Sequence, residues 1–410
     1  MSISISHSTG IIKGEIKLTS SKSLSNRVLI IQGLCNDAFD ICNLSESNDT
    51  DVLQQLINSS ESELDVNLSG TAMRFLTAFL AIKSGEFVIT GAGRMKERPI
   101  KELVDSLIEL GANIEYLEKV GFPPLKIIGQ DLKGGKVEID GSISSQYISA
   151  LLMIAVKLKS GIQIDFLGEV ISKPYINMTV EVMRFYGAFV HWKGNSLLVD
   201  HGDYKGKNFI VEADWSAASY WYSMVALSKG ADVILLGLKR ESLQGDAIIQ
   251  EIYTNFGVIT EYVNGGIRLT KNSEFRIQNS EMELDFTNCP DIAQTVAVTC
   301  AALNIKAKLI GLKTLRIKET DRISALQIEL TKLGFSLDVE DDDILINSII
   351  RNSDNAKLNT IVETYDDHRM AMAFAPLALI KPITIQSETV VGKSYPNFWK
   401  DLEEFSFLFS

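Results

Sequence analysis

The chain has 410 residues, 46% apolar and 22% charged, with a formal net charge of −12. At roughly 100–200 residues per domain, this composition predicts two or three globular domains. It argues against a nucleic-acid partner, which calls for a basic face, and no apolar run approaches the ~18 residues of a membrane span.

Taken in chain order, the first ten residues, MSISISHSTG, lack a basic n-region and an apolar h-region. No signal peptide is expected, and the protein is expected in the cytoplasm. Residues 3–18, ISISHSTGIIKGEIKL, read as a hairpin. Six segments then repeat one design, a small polar start opening an apolar helix: SKSLSNRVLIIQGL (21–34), SGTAMRFLTAFLAI (69–82), SSQYISALLMIAV (144–156), DWSAASYWYSMVAL (214–227), PDIAQTVAVTCAAL (290–303) and YDDHRMAMAFAPLAL (365–379). Between them a second helix recurs, ended by Gly111, Gly187, Gly257 or Gly334 and followed by strand patterns. Glycine suits the residue past a helix end because it takes the left-handed conformation without a Cβ clash. The four cysteines, Cys35, Cys42, Cys289 and Cys300, include no CxxC pair and sit among only four histidines. Neither a zinc site nor a disulfide framework is expected.

A unit of roughly 70–75 residues exceeds the thin repeats of a solenoid and suits a small α/β layer. The first unit is short, with only 48 residues between the starts at 21 and 69, so its hairpin is missing. The last unit ends with the chain and lacks one too. If the N-terminal hairpin completes it, one domain comprises residues 1–19 plus 212–410 and the other 20–211. The expected fold is therefore α/β, two domains of three units each, with the active site in the cleft between them.

Ser21, Ser69, Ser144 and Asp214 are placed to cap their helices. Several starts also hold cations or amides: Lys22 and Arg27, Arg74, Gln146, His368 and Arg369. A cation there opposes the helix dipole unless an anion binds. Further cations lie in GAGRMKERPI (91–100), LRIKETDR (315–322) and VVGKSYPNFW (390–399). Each alone reads as a solvated face, and KETDR also reads as a helix start with an i,i+3 Glu–Arg pair. Their recurrence in several units points to one site for multiply charged anions.

At these residues the sequence resembles the EPSP synthase (3-phosphoshikimate 1-carboxyvinyltransferase) family. The resemblance rests on SKSLSNR (21–27), SGTAMR (69–74), GRMKERPI (93–100), DGSISSQY (140–147), SKPYINMT (172–179), IKETDR (317–322) and DDHRMAM (366–372), in order along the whole chain. It implies an enolpyruvyl-transferase fold of six βαβαββ-type repeats, three per domain. It also implies transfer of the enolpyruvyl group of phosphoenolpyruvate to the 5-hydroxyl of shikimate 3-phosphate, with loss of phosphate and without metal or cofactor. By resemblance Lys22, Gly70, Arg94, Gln146, Arg322, His368, Arg369 and Lys393 hold phosphoenolpyruvate. Lys22, Ser23, Arg27, Ser144, Ser145, Gln146, Ser172, Tyr175, Asp291 and Lys318 hold shikimate 3-phosphate. Asp291, Lys318, Glu319 and Lys22 are the catalytic candidates. Asp291 or Lys318 would take the hydroxyl proton, and Glu319 lies where the methylene gains one. The implied partners are these two small molecules, with no nucleic acid, no membrane and no second chain.

Three positions depart from the family pattern: Leu68 stands where Asn is frequent, followed by Ser69 for Ala, and Thr314 replaces another frequent Asn. The rival readings are a UDP-N-acetylglucosamine enolpyruvyl transferase and a non-catalytic repeat scaffold. The first usually carries a cysteine in the loop corresponding to 91–99, which has none here. The second has no need for Asp291, Lys318 and Glu319 beside the cations.

Overall fold

The computed structural model describes residues 1–276, 281–347 and 360–410. The chain opens with β1 (Ser2–His7) and β2 (Ile11–Lys17). The first unit follows as α1 (Lys22–Leu34), β3 (Ile41–Cys42) and α2 (Asn48–Ile57). The second is β4 (Glu63–Asp65), α3 (Gly70–Ile82), β5 (Gly85–Thr90), α4 (Lys101–Glu109), β6 (Asn113–Tyr116) and β7 (Leu125–Gly129). The third is β8 (Gly135–Asp140), α5 (Ser145–Ala155), β9 (Ile162–Leu167), α6 (Lys173–Phe185), β10 (Val190–Lys193) and β11 (Ser196–Val199). A short β12 (Phe209–Ile210) precedes the fourth: α7 (Trp215–Leu227), β13 (Gly230–Leu236), α8 (Ile249–Ile252), β14 (Val258–Val263) and β15 (Gly266–Lys271). The fifth is β16 (Met282–Asp285), α9 (Ala293–Ala302), β17 (Ala307–Ile310), α10 (Arg322–Lys332), β18 (Leu337–Glu340) and β19 (Asp343–Ile346). The sixth is β20 (Ile361–Val362), α11 (His368–Phe374), β21 (Ile383–Gln386), α12 (Phe398–Glu404) and β22 (Phe407–Phe409).

The strands form six sheets, one per unit. In the second unit the order is β4-β5-β7-β6. Its first two strands are parallel across a helical crossover, and the hairpin returns antiparallel. The third and fifth units repeat this order as β8-β9-β11-β10 and β16-β17-β19-β18. The first helix of a unit lies deepest. In α3, every residue from Gly70 to Ala81 is buried, as an apolar sequence without a polar face requires. The second helix is amphipathic: α4 buries Leu103, Val104, Ser106 and Leu107 and exposes its charges. Gly111, Gly187, Gly257 and Gly334 all take positive φ, between 75° and 101°, which reverses the chain into the following strand.

The N-terminal segment differs from the hairpin expected for it. β1 and β2 belong to different sheets. β1 enters the sixth sheet between β21 and β22, antiparallel to both. β2 pairs in parallel with β13 and supplies the first strand of the fourth sheet. The sixth unit's hairpin is thus made from the two ends of the chain. The first unit has only a two-stranded parallel sheet, β12 with β3, and no hairpin. The backbone edges left open by chain ends and by helix crossovers chose these partners, not proximity in sequence.

Two compact units result, Met1–Thr19 with Glu212–Ser410 and Ser20–Val211. Each has its own core. Trp215, Trp221, Phe286 and Phe374 anchor the first, and Phe75, Leu151 and Tyr186 the second. Among the described residues, no helix is long and apolar enough to cross a membrane.

Candidate active site

The first helices of the units, α9 apart, start on side-chain caps. Ser21, Ser69, Ser144 and Asp214 accept backbone N–H bonds from Leu24, Ala72, Gln146 and Ala217. Each such cap stabilises a helix by about 1 kcal/mol and leaves neighbouring N–H groups at the end of the helix. Ser69 therefore spends its hydroxyl on α3, while Leu68 beside it is 37% exposed.

In the unit spanning 20–211, Arg27 is the centre of a buried bracket. Its Nε donates to Thr179 Oγ1 at 2.6 Å, Nη1 to the Ser23 carbonyl at 2.8 Å, and Nη2 to Ser149 Oγ and the Tyr175 carbonyl, each at 3.2 Å. These bonds tie the starts of α1, α5 and α6 together. All four acceptors are neutral, so no carboxylate among them offsets the guanidinium. Burial pushes its pKa down to about 10, against an opposing effect of Tyr175. Lys22 lies in the first turn of α1 and pairs with Asp49 on α2 at 3.1 Å. Gln146 donates to Thr71 Oγ1 at 3.2 Å, joining the starts of α5 and α3. Gly70 opens α3 where a Cβ would stand 2.4 Å from Arg98 Nη1, so a larger residue would require that guanidinium to shift. Arg74 donates to the carbonyls of Gly70 and Pro99. Ser172 precedes α6 in left-handed backbone, with φ 52°. Arg94 stands apart: it is exposed on the 3-10 turn Gly93–Glu97 and pairs with Glu97 at 2.7 Å.

In the other unit, Asp291 is the hub. It sits on a 3-10 turn, Pro290–Ile292, that leads into α9. Lys318 Nζ lies 3.4 Å and Arg322 Nη1 3.2 Å from its Oδ1, and Arg369 Nη2 is 3.0 Å from Oδ2. Arg369 Nη1 also donates to the Asp291 carbonyl at 2.9 Å. Glu319 bridges Arg322 at 2.9 Å and Lys393 at 3.2 Å. Asp367 is fully buried, accepts from Arg322 Nε at 2.7 Å, and caps α11 by accepting from Arg369 N at 2.9 Å. The KETDR segment does form the i,i+3 Glu319–Arg322 pair, with Asp321 as the helix cap. His368, on the first turn of α11, lies 3.6 Å from Asp367 through Nδ1. The cluster thus sets four cations, Lys318, Arg322, Arg369 and Lys393, against three carboxylates.

The electrostatics follow from this packing. Burial alone would raise the Asp291 carboxyl, but Arg369, Lys318 and Arg322 outweigh it and hold it well below the usual carboxylate range. Burial lowers the Lys318 ammonium, although Asp291 opposes the shift. Burial works against Arg322 in the same way, and Asp367 and Glu319 reverse the outcome and raise it.

Asp49, Ser149, Thr179 and Asp367 carry these contacts without having been assigned roles from sequence. Thr179 and Asp367 lie inside the motifs SKPYINMT and DDHRMAM, a signal that could have found them.

Two groups of cations, one with neutral partners and one beside buried carboxylates, suit small phosphorylated or carboxylated ligands. The EPSP synthase (3-phosphoshikimate 1-carboxyvinyltransferase) family model matches residues 52–402. A protein of Bacteroides fragilis (strain YCH46) with the name 3-phosphoshikimate 1-carboxyvinyltransferase is 48% identical, across 97% of this chain and 96% of its own length. One from Sulfurovum sp. (strain NBC37-1) with the same name is 37% identical, across 96% and 97%. The solved EPSP synthase of Acinetobacter baumannii shares the fold with a TM-score of 0.78 at 21% identity, covering 100% of this chain and 99% of its own. This chain belongs to the EPSP synthase family and is an enolpyruvyl transferase.

Proposed function

We propose that the two clusters divide the work of the family's reaction. That reaction moves the enolpyruvyl group of phosphoenolpyruvate onto shikimate 3-phosphate and serves aromatic amino acid biosynthesis. Arg27, Ser23, Ser144, Ser145, Ser172 and Tyr175 hold shikimate 3-phosphate. Arg322, Arg369, Lys393 and His368, with Gly70 and Arg94, hold phosphoenolpyruvate. Lys22 and Gln146 reach both. The neutral partners of Arg27 support its role: a buried guanidinium without a carboxylate gains strongly when an anion arrives.

In the first step the 5-hydroxyl oxygen bonds to C2 of phosphoenolpyruvate. Its proton passes to the Asp291–Lys318 pair, whose Oδ1 and Nζ lie 3.4 Å apart. Glu319 gives a proton to the methylene carbon, making a tetrahedral adduct. The new methyl group then returns a proton to Glu319, the C–O bond to phosphate breaks as the double bond returns, and phosphate leaves with the proton held by the Asp291–Lys318 pair. Anionic substrate draws Arg322 and Lys393 away from Glu319, which raises its proton affinity and prepares it as the donor.

The observation that carries this reading is the convergence of Lys318, Arg322 and Arg369 on Asp291. Its test compares two variants by steady-state kinetics. Arg27→Ala raises the KM for shikimate 3-phosphate and Arg369→Ala that for phosphoenolpyruvate, each by roughly tenfold to a hundredfold, as expected for loss of a charge-assisted bond. Equal effects on both substrates in both variants would refute the division. The protein works as a cytoplasmic monomer on small molecules alone; its four free cysteines, two of them buried, support a reducing compartment.

A further inference from the structure

Glu329 lies seven residues beyond Arg322 on α10, so the two share one face, two turns apart. Its side chain is fully buried, and the chemistry above does not use it. Oε1 accepts from the Tyr365 hydroxyl at 2.6 Å and pairs with Lys332 at 2.7 Å, while Oε2 accepts from Glu363 N at 3.2 Å. Tyr365 and Asp366 are consecutive residues in left-handed backbone, with φ 53° and 56°. Asp367 N donates to the Thr364 carbonyl at 2.9 Å and closes the turn. Left-handed backbone at both central positions of a turn normally selects Asn-Gly. For Tyr and Asp it is uphill, so the surroundings must hold it.

This turn delivers Asp367, which grips Arg322 and caps the helix that carries Arg369. α10 and the segment before α11 are therefore joined twice. At the start of α10 an arginine meets an aspartate, and two turns later a glutamate meets a tyrosine.

We propose that Glu329 and Tyr365 form a latch that fixes the register of the DDHR segment against α10. Both are positioning residues for the phosphoenolpyruvate half of the reaction, an inference that rests on assigning Arg322 and Arg369 to that substrate. The latch holds an unfavourable turn, and the turn aims Arg369 and Arg322 at one point. A hydrophobic residue at 329 would fill the space without setting the register.

The test uses the full-length enzyme and reads both KM values well below each variant's melting temperature. Tyr365→Phe removes only the hydroxyl and raises the KM for phosphoenolpyruvate roughly tenfold, with that for shikimate 3-phosphate within about twofold of the parent. Asp366→Gly makes the turn easier to hold. Added to Tyr365→Phe, it returns the KM for phosphoenolpyruvate to within about twofold of the parent. Glu329→Gln, which keeps an acceptor for the tyrosine, has a smaller effect than Glu329→Ala. An unchanged KM in Tyr365→Phe, an equal rise for both substrates, or no recovery with Asp366→Gly would overturn the latch. Arg369→Ala run in parallel separates the two claims. If it leaves the KM for phosphoenolpyruvate unchanged, the substrate assignment fails; if it raises that KM and Tyr365→Phe does not, the latch alone fails.

Discussion

Glu319 is held between Arg322 at 2.9 Å and Lys393 at 3.2 Å, the cations that the proposed function gives to phosphoenolpyruvate. In that proposal the competition readies it as a proton donor when substrate arrives. Glu319→Gln keeps the shape and removes the transferable proton. Turnover should fall by about 10²–10⁴-fold, while both KM values stay within about threefold. An equal loss of affinity would show that Glu319 chiefly orders the site. Asp401 is a carboxyl outside the site, where burial raises the pKa to about 6 against the Tyr395 hydrogen bond. Between its ordinary value near 4 and this one, the folded state binds more protons than the unfolded state, so this group lowers stability as pH rises. Asp401→Asn should therefore stabilise the protein at pH 7.5 by about 1–2 kcal/mol, and hardly at all at pH 4. Chemical unfolding at the two pH values checks this, and equal gains at both would contradict it. Which side chains stand at the helix starts was legible in the sequence, because caps and cations recur at fixed places in the unit. Their partners were not. Asp49 and Glu329 lie within polar helical stretches where a carboxylate usually faces water, and only packing shows that both are buried.

At the scale of elements, β1 is central to the sixth sheet, although it begins the chain. Ser4 lies in its middle, donates to the Ser410 carbonyl and accepts from Ser410 N, both at 3.0 Å. On its other side it registers with Thr384 of β21. Ser4→Pro removes the donor and should cost about 3 kcal/mol or more. At about 2–4 °C per kcal/mol, the melting temperature should drop by roughly 10 °C. An unchanged melting curve would mean that β1 adds little to the sheet. The six helix starts and four helix-ending glycines could be read from sequence because each depends on local chemistry. The partners of β1 and β2 could not. Two adjacent strand patterns around Gly10 look like a hairpin, yet each strand fills an edge left open by residues some 200 to 400 positions away.

For the whole molecule, the repeat explains why the proposed site residues are spread from Lys22 to Lys393. Every unit but the fourth contributes a helix start or the loop before one. The chain passes between the two units twice, and both passages follow a first strand. β2 belongs to the fourth sheet but leads into α1, and β12 belongs to the first sheet but leads into α7. The inserted unit therefore interrupts the fourth repeat after its opening strand, which leaves both groups of three sheets complete apart from the missing first hairpin. Arg27 and Asp291, the centres of the two clusters, lie in different units. The most direct test is phosphate release from phosphoenolpyruvate, measured with no acceptor, with shikimate 3-phosphate and with UDP-N-acetylglucosamine. The account predicts saturable release with shikimate 3-phosphate alone; release with neither acceptor, or with the nucleotide sugar instead, would contradict it.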